Sequence, residues 1–253
     1  MSKDDAEMNN NNICLVITGC FKPAGGVTRL CLTDEVERKK QYIDAIAYFI
    51  NDTKIKNIIY CDSSGAEEEE MLIRLAQGNK KNFEWLSFEG NAEAVVNQGK
   101  GYGEGEIIQY ILENSKIIEQ CNYFIKITGR LIVKNIDILL KCSKEMNYFF
   151  PITVRFGKKF VDTRFYIVKK RDYEECLLQA YKDVDDNKNF FLEHAIAEQM
   201  TNSGMTFRHF LVEPNIEGIS GSRGVYYHTS SIKIVFKSIL NCFNISIDAM
   251  KHR

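Results

Sequence analysis

Neither sign of charge predominates in this chain: 33 Lys and Arg stand against 34 Asp and Glu, a formal net charge of −1 at pH 7. The basic residues are dispersed, which excludes the broad cationic surface of a nucleic-acid binder and confines any phosphate recognition to a local pocket. The eight cysteines, Cys14, Cys20, Cys31, Cys61, Cys121, Cys142, Cys176 and Cys242, include no CxxC pair. They read as reduced core thiols of a cytosolic protein. The opening MSKDDAEMNNNN has no apolar signal core, and no run reaches the length that crosses a bilayer; a cytoplasmic rather than secreted chain is expected. There is no G-x-S-x-G elbow, no Walker loop, no H-E-x-x-H and no internal repeat, which removes the best-marked hydrolase, NTPase and metalloprotease chemistries.

What is present is an alternation of short apolar runs and helical periods. Ile13 to Ile17 is continuously apolar and ends in Thr18-Gly19, the pattern of a buried parallel strand feeding a loop. A helix is expected over Asp34 to Ile50, a strand over Asn57 to Cys61 ending in Asp62-Ser63-Ser64-Gly65, a helix over Glu67 to Gln77 with its glutamates at the favourable end, and a strand over Phe83 to Phe88. A helix over Glu104 to Glu119 and a strand over Tyr123 to Ile127 complete a βαβαβαβ order. That order predicts an α/β fold, a parallel sheet with helices on both faces and ligands outside the carboxyl ends of its strands. Strands over 149–156 and 160–169, joined by a hairpin at Gly157-Lys158-Lys159, make the sheet mixed, and helices are expected over 172–182 and 190–202. The organisation expected is a disordered leader over 1–12, a single domain over 13–227 and a C-terminal basic amphipathic helix over 228–253. That helix carries Ile234, Val235, Ile239, Leu240 and Phe243 beside Lys233, Lys237, Lys251 and Arg253. It suits either packing on the domain or contact with an anionic membrane surface.

The densest chemical signal is Gly99 to Arg130. Gly99, Lys100, Gly101, Gly103 and Gly105 form a turn expected to aim backbone N–H groups at an anion, with the following helix's dipole beside it. Lys126 and Arg130 then flank a strand tip through Thr128-Gly129, where they can neutralise phosphate. The loop over Pro214 to Gly224 is of a kind that orders over a ligand, with Arg223 placed to clamp a diphosphate. A Rossmann dinucleotide site is excluded, because the first strand is not followed by GxGxxG.

Taken in order, VITGCFKP at 16–23, RKKQY at 38–42, YCDSSG at 60–65, GKGYGEGEII at 99–108, FIKITGRLIVKN at 124–135, VDTRF at 161–165 and FLEHAIAEQ at 191–199 carry a resemblance. The chain resembles bacterial surface-polysaccharide glycosyltransferases of the GT-A fold, over roughly residues 13 to 227. The resemblance implies a Rossmann-like mixed sheet flanked by helices. It also implies a nucleotide-sugar donor, by preference a UDP-sugar, and transfer to a hydroxyl of a lipid-linked or oligosaccharide acceptor in capsule or O-antigen synthesis, at the cytoplasmic face of a membrane. Where that fold usually carries Asp-x-Asp for a metal, this chain has Lys126 and Arg130, so no metal or cofactor is expected. Donor binding is assigned to Thr18, Gly19, Arg38, Asp62, Lys100, Gly101, Lys126, Thr128, Gly129, Arg130 and Arg223. Glu193 is the first candidate for catalytic base and Asp162 the second, with Arg164 and His194 on the acceptor. A non-catalytic nucleotide- or glycan-binding module is one alternative. A sugar nucleotidyltransferase is another, loosely suggested by Lys22-Pro23-Ala24-Gly25-Gly26 after the first strand.

Overall fold

A strand that is apolar on both faces has to be covered on both sides. In the computed structural model, which describes residues 12–26, 31–143, 146–149, 153–155, 157–221, 224–228 and 231–242, β1 (Ile13–Gly19) is buried along its whole length. Leu15 and Ile17 face one core, with Ile46 and Phe49 of α1 (Glu35–Asp52) and Ile58 and Tyr60 of β2 (Asn57–Asp62). Cys14 and Val16 face the other. The chain continues through α2 (Glu70–Gly78), β3 (Asn82–Ser87), α3 (Ala92–Gln98), α4 (Lys100–Asn114), α5 (Lys116–Glu119) and β4 (Tyr123–Thr128). β1 pairs in parallel with both β2 and β4, and β2 with β3, so the expected parallel βαβαβαβ order is present.

After β4 come β5 (Leu131–Val133), α6 (Ile136–Cys142), β6 (Tyr148–Phe149), the hairpin β7 (Thr153–Arg155) and β8 (Lys158–Phe160), then β9 (Phe165–Lys169) and α7 (Lys170–Cys176). Two short 3-10 turns lead to α8 (Leu192–Asn202), β10 (Arg208–His209), β11 (Ile216–Ile219), β12 (Tyr226–Tyr227) and α9 (Ser231–Cys242). β9 is antiparallel to β4, and the seven-stranded sheet, in the order β10-β6-β9-β4-β1-β2-β3, is mixed. Helices cover both faces: α1 on one, α4 and α8 on the other. The fold is therefore a mixed α/β sheet flanked by helices.

Several boundaries differ from expectation for local reasons. α2 starts only at Glu70, so Glu67, Glu68 and Glu69 precede it. The helix over 92–98, unexpected from the sequence, is capped by Asn91, which accepts from Ala94 N at 2.9 Å. The helix expected over Glu104 to Glu119 starts earlier, at Lys100, and breaks at Ser115, whose Oγ accepts from Ile118 N at 3.1 Å and starts α5. The strand expected over 160–169 is interrupted at 161–164, where Asp162 turns the chain by accepting from Arg164 N at 2.9 Å. The expected helix over 172–182 divides into α7 and the 3-10 turn Ala180–Asp183. The leader over 1–11, Lys251 and Arg253 lie outside the described residues.

The glycine-rich segment departs furthest from its reading. Gly101, Gly103 and Gly105 belong to α4 rather than to an anion-binding turn, and only Gly99, with φ of 117°, is in the left-handed region. Their role is close approach: a Cβ at Gly101 would lie 2.9 Å from Leu192 Cβ, and one at Gly105 would collide with Tyr181 Cβ. Small residues on this stripe let α4 press backbone-first against the start of α8 and the preceding 3-10 turn.

Candidate active site

The carboxyl ends of β1 and β4 open onto a cavity of about 990 Å³, whose walls come from the loop after β1, the first turns of α4 and α8, the tip of β4, residues 162–164 and residues 219–221. Backbone groups leaving buried strand ends need partners. For the loop after β1, two side chains of opposite charge supply them. Asp62, fully buried, accepts from Phe21 N at 2.9 Å, Tyr60 Oη at 3.1 Å, Ser64 N at 2.7 Å and Ser64 Oγ at 2.6 Å. Arg38, on α1, donates from Nε to Phe21 O at 3.2 Å, from Nη1 to Leu32 O at 3.0 Å and from Nη2 to Cys20 O at 2.5 Å. The expected donor-binding roles are corrected accordingly. Asp62 is no part of the cavity wall, and Arg38, which does reach the wall, spends its guanidinium on the loop.

Lys126 needs the same correction. It is 0% exposed, pairs with the Glu104 carboxylate, and donates to Thr128 Oγ1 at 3.0 Å and to Thr163 O at 2.8 Å. An ammonium has three donors, and a buried one is tolerable when all three are used. Lys126 is absent from the cavity wall. The lysine expected on the phosphate is instead a tether joining β4, α4 and the segment before β9.

Arg130 does line the cavity. Its Nη1 donates to Gln41 Oε1 at 3.2 Å, and its guanidinium lies 5.7 Å from the Tyr42 ring centre, so these partners are neutral. Burial pulls its pKa below the usual guanidinium value, which leaves a partly desolvated cation with capacity for an anion. Thr18, Gly19, Thr128, Lys100 and Gly101 also line the cavity. Gly129 does not; its N donates to Thr18 O at 2.9 Å, and a Cβ there would lie 2.6 Å from Tyr42 Cε1, so it shapes the tip. Arg223 lies outside the described residues, while Ser220 and Gly221 reach the wall beside Arg130.

Beside the β4 tip, where Thr128 N donates to Arg164 O at 3.1 Å, Asp162 and Arg164 pair with each other, Arg164 Nε donating at 2.9 Å to Asp162 Oδ1, and the guanidinium lies 4.6 Å from the Tyr227 ring centre. Glu193, second residue of α8, lines the cavity half-buried. Burial pushes its carboxyl up to about 7, the Glu104 and Asp162 carboxylates push the same way, and Lys100 opposes them. Desolvation thus outweighs the helix N-terminus, which favours an ionised carboxylate. His194 faces inward: its Nδ1 accepts from Phe191 N at 3.0 Å, and its ring packs among Phe160, Phe190 and Phe191. It closes the first turn of α8 and is no part of the wall, which corrects its acceptor role.

Glu104, Gln41, Tyr42 and Tyr227 went unassigned in the sequence. Glu104 had a signal, its place three residues after Gly101 on one helical face; the others depend on contacts between distant segments. Three carboxylates near the strand ends already have partners: Asp62 accepts from N–H and O–H donors, Glu104 pairs with Lys126 and Asp162 with Arg164. Among the described residues no group of three or more His, Cys, Asp or Glu is arranged to hold a metal.

No protein-family model and no curated protein matches the chain. Solved structures do. The apo-form glycosyltransferase GlyE of Streptococcus pneumoniae TIGR4 is similar over 78% of this chain and 44% of its own, at 9% identity and a TM-score of 0.49. The nucleoside-diphosphate-sugar pyrophosphorylase of Vibrio cholerae RC9 is similar over 78% and 90%, at 13% identity and a TM-score of 0.44. The mannosyltransferase Ktr4p of S. cerevisiae is similar over 95% and 84%, at 7% identity and a TM-score of 0.44. Likeness at this level carries no argument about chemistry, which rests on the cavity itself.

Replacing Asp62 by Ala strands several donors of the β1 and β2 loops at once. The expected cost is about 3 kcal/mol of unfolding free energy, measured by urea denaturation; a loss within experimental error would show that the Asp62 cluster does not hold the loop.

Proposed function

We propose that this chain is a glycosyltransferase moving a sugar from a nucleotide-sugar, by preference a UDP-sugar, to a hydroxyl of a lipid-linked or oligosaccharide acceptor in surface-polysaccharide synthesis, without a metal. One observation carries the reading: a single cavity joins a neutral-partnered cation at a strand tip, Arg130, to a half-buried carboxylate, Glu193, whose proton affinity is near neutrality. In an inverting transfer the acceptor oxygen forms the new bond to the anomeric carbon while its proton passes to Glu193. The bond from that carbon to the phosphate oxygen breaks, and the electron pair leaves with the nucleoside diphosphate, whose charge Arg130 offsets. Thr18, Gly19, Thr128, Lys100 and Gly101 supply the remaining donor-side wall, and Arg164, stacked on Tyr227, lies on the acceptor side.

A sugar nucleotidyltransferase is the second reading, favoured by Lys22, Pro23 and Ala24, which line the same cavity directly after β1. That enzyme would join a nucleoside triphosphate to a sugar 1-phosphate and release pyrophosphate. Contact with an anionic membrane face, where a lipid-linked acceptor would reside, belongs to the first reading. Its support is α9, on which Ile232, Val235, Phe236 and Ile239 recur at helical spacing with their side chains exposed, Ile232 by 84%. No helix among the described residues is long and apolar enough to cross a membrane.

Calorimetric titration with UDP-, GDP-, CMP- and dTDP-sugars, in EDTA and then in manganese, is expected to give EDTA-insensitive binding of one donor class, weakened about tenfold or more in Arg130→Ala. Binding only with manganese would overturn the metal-free mechanism, no binding would favour a non-catalytic module, and pyrophosphate release from a triphosphate would favour the second reading. The rate of sugar transfer is expected to rise with pH through about 7, as Glu193 ionises, and Glu193→Gln to lose about a hundredfold or more together with that dependence. Flotation with vesicles is expected to carry the chain up on anionic but not on neutral lipid, and Phe236→Glu to abolish it; equal recovery of both forms on anionic lipid would remove the membrane contact.

A further inference from the structure

The ion pair beneath the cavity is costly to bury and contacts no open space on its cationic side. Lys126 is completely enclosed, with its three donors used by Glu104, Thr128 and Thr163. An enclosed ammonium needs an anion opposite it, and the Glu104 carboxylate is that partner. Glu104 nevertheless lines the cavity, its side chain 21% exposed. The route by which it does so is the glycine stripe: Gly101 touches Leu192, the residue before Glu193, and Glu104 stands three positions on, on the same face of α4. Two elements that meet backbone to backbone thus bring two carboxylates into one wall.

We infer that Glu104, fixed by Lys126, is a positioning residue for Glu193: it places a carboxylate beside the base and so adds to burial in favouring the protonated base. The inference rests on the reading of Glu193 as the base. The charged groups that share the cavity wall with Glu193 and act on it most strongly are Glu104 and Lys100 from α4 and Asp162 from the segment before β9, with Asp162 itself paired to Arg164 and Glu104 to Lys126. Removing the Glu104 charge takes away a like charge and leaves the Lys126 cation uncompensated. Both changes favour an ionised Glu193, so its titration moves to lower pH. Removing Asp162 carries the same sign, but it also releases the partly exposed Arg164 side chain to move, so Glu104, whose partner Lys126 is enclosed, is the cleaner test.

Glu104→Gln keeps an amide oxygen for Lys126 and removes the charge, which separates electrostatics from tethering. The measurement is a carbon-13 NMR titration of the glutamate side-chain carboxyls in the full chain, the Glu193 resonance being identified by its loss in Glu193→Gln. The Glu193 midpoint is expected to fall in Glu104→Gln. If that variant does not fold, the double variant Glu104→Gln with Lys126→Gln, which removes both buried charges, is expected to lower it by less, since the loss of the Lys126 cation opposes the loss of the Glu104 charge. In the active enzyme the same change appears as an acid limb displaced to lower pH, so that a larger share of the plateau rate survives at about pH 6. An unchanged midpoint overturns the inference and leaves the pair only a tether between α4 and β4. The titration needs no substrate, so it can fail while sugar transfer stands. A lowered midpoint in a chain that transfers no sugar upholds the electrostatic link and removes only the enzymatic reading.

Discussion

Phe21 is gripped by both of its backbone polar groups, the N–H by Asp62 and the C=O by Arg38, charges of opposite sign contributed by β2 and α1. The cavity depends on this grip. The loop after β1 leaves a strand end buried on both faces, and without partners its polar groups would carry the full desolvation penalty. Two ionised side chains, each in turn stabilised by several hydrogen bonds, hold it where Cys20 and Lys22 form part of the wall. The ring of Phe21 meanwhile packs against Tyr42, Tyr60 and Trp85, so the same residue joins the polar loop to the apolar core.

A second buried charge performs the equivalent task on the other side of β1. Lys126 draws β4, α4 and the segment before β9 together, and the elements it joins carry Thr128, Glu104 and Thr163 to the cavity. Buried ions are expensive, and their benefit here is geometric specificity: a lysine with three acceptors from three segments allows one arrangement of those segments. Arg130 and Glu193, which line the same cavity, carry fewer such internal obligations.

The first half of the fold was legible because its signals are local. Ile13 to Ile17 and Asn57 to Cys61 are apolar without interruption, and the helical period of Tyr42, Ile46 and Phe49 follows directly. The second half was less so, since residues 161–164 leave the strand on account of an Asp162 side chain bonding two residues ahead. Site residues divide on the same principle. Residue type and strand-end position brought Thr18, Arg130 and Glu193 to the cavity. They failed for Lys126, Asp62 and His194, because a charged or polar side chain at a strand or helix end has the same sequence signature whether it meets a ligand or the backbone of its own chain, 37 residues away for Lys126, 41 for Asp62 and 3 for His194. Partner identity is a property of the tertiary structure, and periodicity does not encode it.

The glycine stripe of α4 also divides the cavity into two walls of unequal adaptability. Where Gly101 and Gly105 meet Leu192 and Tyr181, spacing is fixed by main chain and Cβ atoms, so no change of rotamer can widen it. The facing wall is made of side chains, Arg164 stacked on Tyr227, and of the turn at Ser220 and Gly221, all of which can be exchanged without moving a helix. Divergence in what this cavity accepts should therefore accumulate on that exchangeable wall, with the α4 side acting as an invariant gauge against which new specificities are measured.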